Sequence, residues 1–241
     1  MRRDQLEHAI RTACQIIGQP AVIVVGSQSI LGTYREEDLP AEATMSVEVD
    51  ILPIADDNAE TARLADLIEG VAGEFSPFEE LHGFSIDGVD LETSVLPDRW
   101  RERLIKVQNA NTAAPSGEPV FTGWCLDKED LCVAKLCALR EKDQNFVAAL
   151  LDARLADPAV ITERLAAVPG RHRLTAERAI AWLGSRAAMS PAQWSSAEVG
   201  SSARMSDGLL GIRRARAMRC CWPLSLQSGR SRARDLGHLA L

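Results

Sequence analysis

No stretch of this 241-residue sequence is apolar for long enough to span a bilayer. The longest runs, such as AVIVV at 21–25, fall far short of the roughly 20 residues a membrane-spanning helix needs. The opening MRRDQLEHAIRTACQIIG follows two arginines with an acidic, amphipathic stretch, where a secretory signal would carry an apolar core. The expectation is a cytoplasmic protein with no membrane partner. Soft metal-ligand patterns are missing as well. Cys14, Cys125, Cys132, Cys137, Cys220 and Cys221 form no CxxC pair. His8, His82, His172 and His238 are scattered, with neither HExxH nor finger spacing. That argues against a zinc site and leaves the cysteines as buried free thiols. Lysine is scarce: Lys106, Lys128, Lys135 and Lys142 are the only four among 27 basic residues.

What remains is ordinary for a globular chain, 46% hydrophobic and 25% charged, and long enough for one large domain or two small ones. The net charge of −7 is unevenly spread. Residues 191–241 hold eight arginines against three acids, a net +5, which leaves −12 for residues 1–190. So acidic a body is a poor generic nucleic-acid binder, with the tail as the exception.

Along the chain, Leu6, Ala9, Ile10, Ala13, Ile16 and Ile17 recur at helical spacing until Gly18 and Pro20 end the helix. Residues 21–25 read as a buried strand closed by Gly26-Ser27, and SQSILG as the first turn of a helix. Residues 33–45 read as a loop with one helical turn. SVEVDILP at 46–53 alternates, with Val47, Val49 and Ile51 on one face and Glu48 and Asp50 on the other. Asp57 opens an amphipathic helix to about Ala72. FSIDGVDLETSVLP reads as a hairpin about an Asp87-Gly88 turn. A short helix is expected from Asp98, a loop over 109–118 and a strand over 119–123. Asp127 then caps a helix, with Asp130 in a capping-box-like position. Helices follow at about 127–141, 143–155, 158–167 and 174–187. This order predicts an α+β fold: an α/β core over 1–126 and a helical C-terminal region over 127–190. Residues 191–241, rich in serine and arginine, are expected to be disordered. RRARAMRCCWP within them reads either as a basic arm or as sequence never selected to fold, such as a shifted reading frame yields.

Chemistry concentrates at four places. A glycine after a buried strand lets a ligand approach, and a helix opening at Ser27 would offer free N–H groups to phosphate. An ordinary strand-to-helix turn with a serine cap reads the same way. Glu48 and Asp50 sit side by side on one strand face, and such hard oxygen ligands suit Mg²⁺. A solvated polar strand face is the alternative. A third acid is expected on a neighbouring strand, where Asp90 and Glu92 share a face. Asp90 is preferred for its shorter side chain, as a metal-bridging residue or base, and Asp87 is assigned to the turn. In LCVAKLCAL, Lys135 is the only charge in nine residues. A lysine on so apolar a helix needs an anion such as a nucleotide phosphate, unless it snorkels to solvent. Asp143, eight residues on, is placed to orient Lys135 or to reach the metal or nucleotide. Arg140, Glu141 and Lys142 read as surface charges.

The order strand, Gly-Ser, acid-x-acid strand, acidic strand and then EDLCVAKLCALREKD resembles the minimal nucleotidyltransferase superfamily. It is most similar to the AbiEii and MenT group of toxin-like nucleotidyltransferases and their uncharacterised relatives, over about residues 5–155. The resemblance implies a mixed β-sheet core with flanking helices. It implies Gly26, Ser27 and Lys135 at the nucleotide, Glu48 and Asp50 on Mg²⁺, and Asp50, Asp90 and Asp143 as catalytic residues. It departs in having Glu48 where Asp is commoner and a long insertion between Gly26 and Glu48. The implied activity is Mg²⁺-dependent transfer of a nucleotide from a nucleoside triphosphate to an RNA or protein acceptor, with a cognate antitoxin as candidate partner. The rival reading is a catalytically inactive module on the same fold that binds a nucleotide or a partner protein. An RNA-binding accessory role for the tail is a third.

Overall fold

Helix α1 (Arg3–Ile17) buries Leu6, Ala9, Ile10 and Ala13, the helical stripe expected from their spacing. It stops at Gly18, whose φ of 67° is the left-handed conformation that glycine adopts without strain. Strand β1 (Ala21–Val24) follows and is buried from Val22 to Val24. The computed structural model describes residues 1–188, so the segment 191–241 and its basic arm lie outside the described residues.

SQSILG forms a 3-10 segment, Ser27–Gly32, in place of the α-helical turn expected there. After it come a 3-10 turn at Glu36–Asp38 and the short α2 (Ala41–Thr44). Strand β2 (Glu48–Pro53) starts later than the alternation suggested, and Val47 is exposed outside it. Helix α3 (Asn58–Ala72) is capped by the Asp57 side chain, which accepts from the Glu60 amide. The short α4 (Pro77–His82), not foreseen, is capped in the same way by Ser76. Strand β3 (Ser85–Gly88) comes next, then β4 (Ile105–Val107) and β5 (Thr122–Cys125).

The sheet is mixed and runs β3-β2-β1-β5-β4. Strand β1 is antiparallel to β2 and parallel to β5, while β2 is parallel to β3. This last pairing corrects the expected hairpin. Asp87-Gly88 is not a turn: β3 runs straight through both residues, in register with Asp50 and Ile51 of β2. The chain then leaves the sheet instead of returning as a second strand. Gly88 answers a packing demand. A Cβ there would stand 1.9 Å from the Ala65 carbonyl oxygen of α3, so the glycine lets the helix lie directly on the strand. Gly88→Ala should force the two apart and cost about 1–3 kcal/mol, the usual penalty of overpacking. Urea unfolding checks this, and an unchanged midpoint would contradict it.

Beyond the sheet come α5 (Lys128–Ala138), α6 (Glu141–Asp152), α7 (Pro158–Ala166) and α8 (Arg173–Ala188). The fold is thus α+β, with helices flanking a mixed sheet and a helical C-terminal region. Asp127 caps α5, accepting from the Glu129 amide, but Asp130 closes no capping box. Its buried carboxylate instead takes both arms of Arg103, at 2.8 and 2.9 Å, and lies 3.1 Å from Arg164 of α7. No described helix is long and apolar enough to cross a membrane. Cys14, Cys125, Cys132 and Cys137 are buried free thiols whose pKa burial pushes up, to about 11 at Cys137.

Candidate functional site

At the carboxyl end of β1 the backbone passes from Val25 through Gly26 to Ser27. The Val25 amide still bonds the Asp50 carbonyl at 3.1 Å, so the two chains remain side by side there. Gly26 is extended, with φ −82°, so its conformation does not require glycine. Space does: a Cβ would fall 1.5 Å from Oδ2 of Asp50. The missing side chain lets the Asp50 carboxylate lie against the backbone at the end of β1. Gly26, Ser27, Glu48 and Asp50 line one cavity of about 280 Å³.

Glu48 and Asp50 share a face of β2, as the alternation required. In a parallel pair, residues in register project to the same side, and strands stand about 4.8 Å apart. Asp87 is in register with Asp50, so it is the third strand carboxylate beside the pair. The crowding shows in their protonation. Burial first, then the charges of Glu48 and Asp87, raise the Asp50 pKa to about 6, against the pull of Lys135 and Lys142. Burial and then Glu48 raise Asp87 to about 6, partly offset by the Ser85 hydroxyl. One oxygen of Asp87, Oδ1, is buried without a hydrogen-bond partner.

Asp90 is not brought to this group. It lies past the end of β3, where its Oδ1 accepts from the Glu92 and Thr93 amides at 2.9 and 3.1 Å and from the Thr93 hydroxyl at 3.0 Å. It organises a turn and is not among the residues lining the cavity, whereas Thr93, Ser94 and Val95 from the same segment are.

Helices α5 and α6 supply the cations. Lys135 is nearly enclosed and sits 4.5 Å from the centre of the Phe146 ring. Its Nζ reaches Oδ1 of Asp143 at 3.1 Å, so it does not snorkel to solvent. The pair forms across a helix break rather than along one helix. Leu139, with φ 50°, ends α5, and Asp143 stands in the first turn of α6. Asp143 is wholly buried and takes a second cation: Arg140 Nε meets its Oδ2 at 2.6 Å. Burial would raise the Asp143 pKa, but the Arg140 hydrogen bond and the Lys135 charge outweigh it and hold the carboxyl below its ordinary value. Lys135, Arg140, Lys142 and Asp143 all line the same cavity.

The cavity thus gathers Gly26, Ser27, Glu48, Asp50, Lys135 and Asp143; neither Asp87 nor Asp90 is among its lining residues, but Asp87 stands beside Asp50 on the adjacent strand. Sequence reasoning missed Asp87, Arg140 and Lys142. The apolar–polar alternation of Phe84, Ser85, Ile86 and Asp87 is the signal available for Asp87, and the Asp-Gly turn pattern competes with it. Among the described residues no three His, Cys, Asp or Glu side chains already close around an ion. Mg²⁺ does not ask for such a cage, because it is usually held by one or two carboxylates together with substrate phosphates and water. The two carboxylates that line the cavity, Glu48 and Asp50, fit that donor set.

A mixed sheet with strand carboxylates facing a lysine-bearing helix is a nucleotidyltransferase-like arrangement. The chain belongs to the family described as nucleotidyltransferase of unknown function (DUF6036), whose profile matches residues 4–163. No curated protein and no solved structure matches the chain.

Proposed function

We propose that this cavity binds a nucleoside triphosphate with Mg²⁺ and transfers the nucleotide to a hydroxyl on an RNA or protein acceptor. The observation that carries the reading is the meeting, in one cavity, of strand acids with two cations held on a single buried carboxylate. Glu48 and Asp50 would hold Mg²⁺, which when bound neutralises phosphate charge and orients the triphosphate. Ser27 and Lys135 would contact phosphate oxygens. The acceptor oxygen bonds to the α-phosphorus, the bond from that phosphorus to the bridging oxygen breaks, and pyrophosphate leaves with the electron pair. Asp87 takes the acceptor's proton. A carboxylate with a pKa near 6 is a better base at neutral pH than an unperturbed one. Positioning and charge neutralisation supply most of the acceleration, as in other phosphoryl transfers. The narrower likeness to toxin-like AbiEii and MenT enzymes, with a cognate antitoxin as partner, is supported by the segment EDLCVAKLCALREKD and its Lys135–Asp143 pair.

The assay is incubation of the full chain with labelled triphosphates and either total RNA or total protein, resolved on a gel. Label should appear in one acceptor class only with Mg²⁺, and its rate should climb with pH through about 6 as Asp87, whose pKa is raised chiefly by burial, loses its proton. Asp87→Asn should lower the rate at least about a hundredfold. Asp90→Asn should change it by no more than about threefold, in line with a surface turn. The reverse ranking would restore Asp90 as the third acid. Tight triphosphate binding with no labelled product in either extract favours the inactive module.

A further inference from the structure

We propose that Arg140 is the residue that grips the departing pyrophosphate, with Asp143 as its positioning carboxylate. The inference rests on the transferase reading of the cavity and extends it to a residue whose sequence context marks only a surface charge. The Arg140 side chain is 62% exposed, yet one edge of it is anchored on an acid that is 0% exposed. Its Nε lies 2.6 Å from Asp143 Oδ2 and its Nη2 lies 3.4 Å from Oδ1. A guanidinium carries five N–H donors in a rigid plane. The rest of the fork has no protein acceptor among the described residues, and Arg140 is one of the residues that line the cavity. That is the form a phosphate-binding arginine takes: one edge fixed by protein, the other presented as a planar pair of donors.

Charge points the same way. Asp143 supplies one negative charge for two cations, Lys135 and Arg140, so a positive charge is left over on this wall. Lys142 lines the cavity as well and adds another. The strand acids Glu48 and Asp50 line it too, so the cavity has distinct acidic and basic contributors. A triphosphate that puts its α-phosphate at the strand acids needs cations for the remaining phosphates. As the bond to the α-phosphorus breaks, negative charge accumulates on pyrophosphate. A pre-placed guanidinium meets that charge without reorganising. Asp143 then acts through the two cations it holds, touching neither metal nor substrate.

Titration calorimetry of the full chain with inorganic pyrophosphate and, separately, orthophosphate tests this. Arg140→Gln should weaken pyrophosphate binding at least about tenfold and weaken orthophosphate binding far less, because the fork grips the second phosphate. Arg140→Lys should recover part of the loss, and Lys106→Gln, an exposed change on β4, should match the unaltered protein. Because the side chain is mostly exposed, the melting temperature of Arg140→Gln should stay within a few degrees; should it not, the charge-preserving Arg140→Lys carries the comparison. Equal pyrophosphate affinity in Arg140→Gln and the unaltered chain would overturn the proposal. So would an equal loss for both anions, or no pyrophosphate binding by the unaltered chain. None of these readings depends on nucleotide transfer, so a chain that transfers nothing can still show the Arg140 grip.

Discussion

Asp50→Asn is expected to leave the protein inert yet more stable at neutral pH. Burial and the neighbouring charges of Glu48 and Asp87 raise the folded-state pKa of Asp50 to about 6, from an ordinary 3.8. Between those two values the folded chain keeps a proton that the unfolded chain has released. Stability therefore falls as pH rises from about 4 to about 6, and the penalty is full above that window. Asparagine keeps the shape and removes the charge. The gain at pH 7 should be on the order of 1–3 kcal/mol, since one pKa unit corresponds to about 1.4 kcal/mol. It should raise the melting temperature by several degrees and fade toward pH 4. Transfer should drop at least about a hundredfold, because a carboxylate proposed to hold the metal is gone. Thermal melts at pH 4 and pH 7, run beside the labelled-nucleotide assay, check both halves. A variant destabilised at pH 7, or one that retains activity, would show that Asp50 is a structural acid.

Asp143→Ala should do the opposite. This carboxylate is wholly buried between Lys135 and Arg140, and its removal leaves the Lys135 ammonium nearly enclosed with no acceptor. Deleting one partner of a buried ion pair costs about 3–5 kcal/mol. The folded-state pKa of Asp143 lies below its ordinary 3.8, so the stabilisation is present above that value. It is lost only as pH falls through the lowered folded-state pKa. The penalty of the alanine variant is accordingly full at pH 7 and shrinks in strong acid. Urea midpoints at unchanged slope measure it. Pairing Asp143→Leu with Lys135→Met should return much of the stability, since a buried ion pair can be replaced by apolar groups at little cost. It should return none of the transfer activity, because Lys135, proposed to contact phosphate, is gone. A loss under 1 kcal/mol in Asp143→Ala would mean that the pair is solvated and holds nothing in place.

The parts of the site that sequence revealed are those where a side-chain period was free of competing signals. The β-branched run 21–25 and the alternation of Val49 and Ile51 with Glu48 and Asp50 each allow one strand reading, and both strands form. Lys135 stood out because a lone charge in an apolar helix needs an explanation, and its partner is the predicted Asp143. Asp87 was hidden because Asp-Gly is a strong turn signal. Here the glycine serves the close contact with Ala65, a demand set by a helix some twenty residues earlier that local sequence does not display. Arg140 was hidden by the break at Leu139. Nothing in a leucine announces a left-handed conformation, and without the break Arg140 continues an exposed helical face. The three-residue β4 is too short to show a period at all.

The strand acids and the helix cations are proposed to form one site for a metal–triphosphate. This is tested most directly by titrating each ribonucleoside triphosphate into the full chain at pH 8, with Mg²⁺ and again with a chelator. At least one triphosphate should bind about tenfold or more tightly with the metal, and Glu48→Gln should erase that difference. Binding that ignores Mg²⁺, or no binding by any of the four, would contradict the account.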